Sequence, residues 1–264
     1  MRRNRLLLAS AALGGVLALG LGVPAAAAPA LAPAAWIVAN GTQPALTDYT
    51  ATPSGPFWSA VVLDPGYQSG DDADPDQDYD LWAYDSAGKG LASSRLGIGE
   101  IDYVAIDSNT RTVEPYRVQV QKFHATSTHE QYRLVFASGT LTVGPGRTAL
   151  AVPPGPQPNN AYVRDIYLRA GSTATVFAAG DNVTCPTSVG TLFLHAFLLG
   201  TDPANPATAV QGRPGALARS FSLQQHGTAC GVTLTYTAKT AGWYGLLIVD
   251  PGFTSPFTDI TVTP

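Results

Sequence analysis

Val232-Thr233-Leu234-Thr235-Tyr236-Thr237 alternates residue by residue, so an extended chain puts Val232, Leu234 and Tyr236 on one face and three threonines on the other. That period of two marks a half-buried strand, and Tyr116-Arg117-Val118-Gln119-Val120-Gln121 repeats it. Three further runs, Trp58 to Leu63, Leu192 to Leu199 and Trp243 to Val249, are apolar almost throughout, the pattern of central strands covered on both faces. Trp58 and Trp243 are therefore expected in the core. Past the amino-terminal leader, apolar residues do not recur at the helical period over any ten-residue window. The 27 glycines and 21 prolines follow no collagen-like period, so they read as turns joining many short strands. The predicted fold is all-β, with antiparallel β-sandwiches as its units.

The ends of the composition range exclude whole classes. Hydrophobic residues at 45% against charged residues at 13% supply a core and argue against a charge-rich disordered chain. Arg2, Arg3 and Arg5 precede an apolar run from Leu6 to Val23, and Ala25 to Ala28 supply small residues, the three-part layout of a signal peptide over residues 1–28. Cleavage is expected between Ala26 and Ala32; the pair Arg2-Arg3 leaves both the general and the twin-arginine export routes open. No later run approaches the roughly 18 apolar residues that span a bilayer, so a secreted, extracellular product without a membrane span is expected. Without those three arginines, 12 basic residues face 19 acidic ones, a net charge of −7 that disfavours nucleic acid as a partner. Cys185 and Cys230 are the only cysteines, and in an oxidising compartment they are expected to form one disulfide.

Residues 144–159 hold five prolines between two strand-rich blocks and read as a stiff Pro/Gly-rich linker. The blocks, 36–143 and 160–264, each have the size of a small sandwich. Each offers a central strand (Asp80 to Asp85; Leu192 to Leu199), a turn, and a later Tyr-containing strand (Tyr116 to Val120; Trp243 to Val249), which suggests duplication.

The segment Asp78-Tyr79-Asp80-Leu81-Trp82-Ala83-Tyr84-Asp85-Ser86-Ala87-Gly88, with Leu91-Ala92-Ser93-Ser94 after it, resembles the bacterial pre-peptidase C-terminal domain. In the second block, Asp165 to Gly171, Thr240 to Tyr244 and Asp259 to Thr263 resemble the same family. The resemblance implies two divergent tandem copies of a jelly-roll-like sandwich, a domain commonly appended to secreted peptidases. Pro115 stands where that family usually has Gly, and Leu192-Phe193-Leu194 where it has an acidic pair. With no peptidase domain in the chain, the accessory role lacks its usual catalytic neighbour.

Eight of the sixteen aspartates lie between Asp64 and Asp85, an interval without Lys or Arg. Asp72, Asp74, Asp76, Asp78 and Asp80 occupy every second position, which in extended chain sets carboxylates on one side at roughly 6.6 to 6.8 Å intervals. Such repulsion calls for a hard cation with many oxygen ligands, and calcium is the predicted ion. An EF-hand is ruled out, since counting from Asp74 the required Gly falls on Tyr79. The competing reading is a solvated acidic loop that guards a sheet edge.

No nucleophile elbow, zinc-binding helix or phosphate loop occurs. His195 lies in an apolar strand and reads as a core histidine, and His124 and His129 flank a hairpin loop. Trp82 and Tyr84 share a strand face with Asp80 and are the candidate ligand-binding residues. These observations lead to a secreted, non-catalytic binding or accessory module, calcium-stabilised, engaging an extracellular protein or glycan. Two alternatives stand beside it: a self-assembling or adhesive subunit pairing through Trp36 to Tyr49 with another copy, and a hydrolase with a composite site.

Overall fold

The computed structural model describes residues 30–31, 36–40, 43–64, 77–98, 100–109, 113–124, 131–139, 142–149, 161–180, 184–185, 194–200, 210–249 and 259–264. In chain order the strands are β1 (Ala30–Leu31), β2 (Trp36–Asn40), β3 (Leu46–Ala51), β4 (Trp58–Asp64), β5 (Asp78–Tyr84), β6 (Gly90–Ser94), β7 (Asp102–Asp107), β8 (Tyr116–His124), β9 (Gln131–Ser138) and β10 (Thr142–Val143). They continue as β11 (Gly146–Ala149), β12 (Ala161–Leu168), β13 (Thr173–Gly180), β14 (His195–Leu199), β15 (Val210–Gly212), β16 (Ala218–Ser220), β17 (Leu223–His226), β18 (Ala229–Thr237), β19 (Gly242–Val249) and β20 (Asp259–Thr263). One 3-10 turn, Arg213–Gly215, is the only helical element among the described residues. The all-β expectation holds.

The strands form four five-stranded sheets: sheet I is β1-β3-β8-β5-β6, sheet II β15-β7-β4-β9-β2, sheet III β10-β12-β19-β14-β16 and sheet IV β11-β20-β13-β18-β17. Sheets I and II enclose one core, with Leu81, Val118 and Tyr116 facing Val61, Leu134 and Phe136. Sheets III and IV enclose another around Leu246, Ile248, Val232 and Ile260. A third core joins the two sandwiches, where Trp58, Val62, Tyr103 and Ala105 of sheet II meet Val163, Phe197, Leu247 and Val249 of sheet III. The molecule is therefore four sheets deep, which explains the continuous apolar runs. All seven residues of β4 are buried because odd positions face one core and even positions the other.

The two blocks share much of their topology. Sheets I and III have the same order, each with a two-residue edge strand joined in parallel (β1 to β3, β10 to β12), and β5 lies beside β8 as β14 lies beside β19. Sheets II and IV also correspond, except at one edge. There the second sandwich uses its own β17, paired to β18 through a turn at Gly227 in the left-handed region. The first sandwich passes from β6 to β7 with no such strand, and its slot beside β7 is taken by β15 from the second block, with Val210 opposite Ile106. Gly212 makes this possible: a Cβ there would run into the carbonyl of Ser93.

Two boundary expectations are corrected. The stretch read as a linker from residue 144 contains β11, which pairs with β20, and β10 before it already pairs with β12, so the second sandwich begins at Thr142. Gly146-Arg147-Thr148-Ala149 lies in the proline-free run of that stretch and can donate to a ladder. The second block also does not end its contribution at its own sandwich, because β15 belongs to sheet II. The expected hairpin between His124 and His129 is not one, since β8 lies in sheet I and β9 in sheet II. Segment Trp36 to Tyr49 pairs within the chain, β2 with β9 and β3 with β8.

Asp165 fastens the seam between sandwiches. It is fully buried on β12; its Oδ1 accepts the Trp58 backbone N–H at 3.0 Å and its Oδ2 accepts the Asn109 side-chain amide at 2.7 Å. Burial, with Asp107 adding repulsion, raises its pKa to about 6.

Candidate functional site

Along β5 the side chains of Tyr79, Leu81 and Ala83 enter the first core, so the alternation turns Asp78, Asp80, Trp82 and Tyr84 to the outer face of sheet I. The register sets Gln119 opposite Trp82 and Arg117 opposite Tyr84 on β8, and Asp48 opposite Gln119 on β3. A closed polar ring results. The Tyr84 hydroxyl donates to Gln119 Oε1 at 3.3 Å, Gln119 Nε2 donates to Asp48 Oδ1 at 2.8 Å, and Arg117 Nη1 meets Asp48 Oδ2 at 3.5 Å. The Arg117 guanidinium lies 4.0 Å from the centre of the Tyr84 ring, and the Arg95 guanidinium 5.1 Å from that of Trp82. Each candidate aromatic thus carries a cation on one face, and the Tyr84 rotamer is held by its bond to Gln119. Trp82 Nε1 is buried and has no hydrogen-bond partner among the described residues. Toward one end of the face two large apolar side chains stand in solvent, Leu46 at 53% exposure and Phe123 at 71%.

Of the predicted ion ligands, Asp72, Asp74 and Asp76 lie outside the described residues. Asp78 and Asp80 occupy the start of β5, and both have pKa values raised first by burial; Asp78 adds repulsion at Asp80, while His124 and Arg95 pull the other way. Among the described residues no three His, Cys, Asp or Glu side chains gather as a ligand set. Asp64 pairs with Arg133 at 3.9 Å, and Asp85 Oδ1 accepts the backbone N–H groups of Ala87 and Lys89, shaping the turn that Gly88 completes at φ +81°.

Close to Asp80 lies a residue that sequence reasoning missed. Asp102, 1% exposed at the start of β7, accepts the hydroxyl of Ser94; burial first, and Asp80 in addition, drive its pKa up to about 7 against the opposing pull of Arg213. Arg213 comes from the second block, donating to the Ile101 carbonyl and pairing with Glu100 at 2.9 Å. An aspartate opening an otherwise apolar strand, Asp102-Tyr103-Val104-Ala105-Ile106, was the available signal.

Cys185 and Cys230 are disulfide-bonded as expected, with Cα atoms 5.1 Å apart. His195 stacks on Phe197 and packs against Phe221; burial lowers its pKa to about 4, so it is neutral at physiological pH. Trp58 is buried, but Trp243 is not a core residue: it is 42% exposed and meets Tyr167, 51% exposed, edge to face at 5.3 Å. The apolar run that contains Trp243 begins at the strand's end, where sheet II no longer covers sheet III.

No family model matches the chain, and no curated protein does. Among solved structures, the chain is similar to the CUB1-EGF-CUB2 domains of rat MASP-1, at 7% identity and a TM-score of 0.24, covering 90% of this chain and all of that one. The human MASP-1/3 CUB1-EGF-CUB2 structure gives 7% identity and a TM-score of 0.24 over 86% of this chain and 99% of that one. A peptide-N(4)-(N-acetyl-β-D-glucosaminyl)asparagine amidase gives 9% identity and a TM-score of 0.22 over 87% of this chain and all of the enzyme's. At such scores, ligand and activity rest on this chain's own residues.

Proposed function

We propose that this chain is a secreted, non-catalytic binding module that engages an extracellular protein through the outer face of sheet I. The observation that carries the reading is the pairing of each outward aromatic on β5 with a guanidinium, Tyr84 with Arg117 and Trp82 with Arg95. Trp, Tyr and Arg are the residue types that dominate binding energy at protein interfaces. Tyr84 and Arg117, held by Gln119 and Asp48, lose little rotamer freedom on association. Exposed Leu46 and Phe123 extend the face with apolar area. A sugar stacked on Trp82 or Tyr84 would have to displace a cation or use the opposite ring face, which favours protein over glycan here.

Calcium bracing of the first sandwich belongs to the same proposal. Asp78 and Asp80 repel each other at the start of β5, and a cation shared with Asp72, Asp74 and Asp76 relieves that repulsion.

The test is capture from the medium of the producing cells, followed by calorimetric titration of the purified partner with wild type, Trp82→Ala and Arg117→Ala. Each substitution is expected to weaken binding at least tenfold, about 1.4 kcal/mol. An affinity indifferent to both moves the interface elsewhere. Melts with EDTA and with millimolar calcium test the ion: stabilisation of about 2.7 kcal/mol is expected at a hundredfold excess over the dissociation constant, lost in Asp78→Asn. A melt that calcium leaves unchanged removes the ion from the proposal.

A further inference from the structure

At the seam between the sandwiches a cavity of about 230 Å³ is lined from one side by Asp107 and Asn109, at the end of β7, and from the other by Thr240 to Tyr244, the turn into β19. Its wall is set rigidly. Asp107 is 1% exposed and accepts the Asn109 backbone N–H at 2.9 Å, Asn109 is held by Asp165, and the Tyr244 hydroxyl donates to the Thr240 carbonyl at 2.7 Å. A second cavity, about 590 Å³, opens at the end of the second sandwich and is lined by Tyr167, Arg169, Ser172 and Thr173 among apolar neighbours. Trp243 is the residue common to both linings. Its backbone is fixed by the Trp58 indole N–H, which donates to the Trp243 carbonyl at 3.3 Å, while its side chain stays 42% exposed.

We infer that the two cavities form one groove for a neutral oligosaccharide, with a sugar ring on Trp243 and the adjoining unit in the seam cavity. A pyranose has an apolar face of C–H groups and a rim of hydroxyls. It needs an aromatic surface and, within one residue's reach, polar side chains that accept and donate hydrogen bonds. Trp243 and Tyr167 supply the first, Asn109 and the exposed Thr240 the second. Together the cavities reach the size of ordinary ligand sites, roughly 300 to 1,000 Å³. The site is separate from the outer face of sheet I and stands or falls independently of the partner proposed there.

The test is native affinity electrophoresis of the mature protein in gels containing soluble β-1,4-glucan, β-1,3-glucan, α-1,4-glucan or xylan, followed by tryptophan-fluorescence titration with the matching hexasaccharide. Retardation by at least one polysaccharide is expected. Trp243→Ala should weaken hexasaccharide binding at least tenfold, Tyr167→Ala and Thr240→Ala several-fold, and Trp243→Phe should retain part of it. Trp82→Ala should bind as wild type does. Both aromatic sites are exposed, so these variants are expected to fold, and a melt confirms it. Free migration in all four gels overturns the inference. So does binding that survives Trp243→Ala, or binding lost in Trp82→Ala instead.

Discussion

Replacing Asp102 by Asn tests the account of the inter-sandwich contacts most directly. The carboxyl is buried, receives the Ser94 hydroxyl and the Leu96 backbone N–H, and faces Asp80 and Arg213. Burial dominates and raises its pKa to about 7, whereas in the unfolded chain it titrates as an ordinary carboxyl near 3.8. Because the folded value is the higher one, the stability linked to this group is complete below pH 3.8 and is lost as pH rises through 7. A rise of about three units corresponds to roughly 4 kcal/mol, of which about 3 kcal/mol disappears between pH 5 and pH 8. Asn has the same shape and no charge, and the Ser94 hydroxyl can donate to its oxygen or accept from its nitrogen. Urea unfolding of both proteins at pH 5 and pH 8 gives the comparison. Asp165, raised to about 6, lowers stability over the same interval in both, so their difference isolates Asp102. The wild type should lose about 3 kcal/mol more than Asp102→Asn on going from pH 5 to pH 8. Parallel losses in the two proteins would refute the reasoning and leave Asp102 ionised in a better-solvated site.

Two further outcomes follow from the packing. Reducing Cys185–Cys230, 45 positions apart, should destabilise the fold by about 4 kcal/mol on the loop-entropy model, and a denaturation midpoint unmoved by reductant would contradict this. Gly245→Ala would set a Cβ 2.7 Å from Cγ of the Trp58 indole, which is itself fully buried and cannot retreat; overpacking of about 1–3 kcal/mol is expected, and a neutral midpoint in chemical denaturation would mean the seam is looser than described.

Much of the fold was legible because β-structure writes its burial into short periods. The alternation in Val232 to Thr237 gave one covered face, and the unbroken apolar runs at β4, β14 and β19 called for two. What those runs could not say was what lay on the second face. The cover for sheet II is sheet III, more than a hundred residues away in sequence, and no local pattern encodes that choice. The borrowed strand was hidden for a related reason: Val210-Gln211-Gly212 is too short to show a period, and its partner β7 belongs to the other half of the chain. At the candidate site, the outward position of Trp82 and Tyr84 followed from the pleat, whereas Arg117, Gln119 and Asp48 came into view only with the register of three strands. Trp243 failed because an apolar run says nothing about where the covering sheet stops.

The four-sheet stack also narrows where binding can occur. The facing sides of sheets II and III are consumed by the seam, leaving the outer faces of sheets I and IV and the rim of the seam. On sheet IV the outward positions pair like with like, Thr173 with Thr237 at 2.7 Å and Thr175 with Thr235 at 3.2 Å, and Phe177 is capped by the stacked His226 ring at 4.3 Å. Those hydroxyls satisfy one another across the strands and present little that a partner could bury with profit. Sheet I has the same strand order as sheet III, yet its corresponding outward face is covered by no other sheet among the described residues and carries Trp82, Tyr84, Arg95 and Arg117. In the second sandwich the equivalent face, with Phe197 and Leu247, is apolar and buried against the first sandwich. The shared topology thus gives two corresponding faces in opposite settings: that of sheet III is the cement between the sandwiches, and that of sheet I carries the aromatic and guanidinium pairs on which the proposed binding face rests.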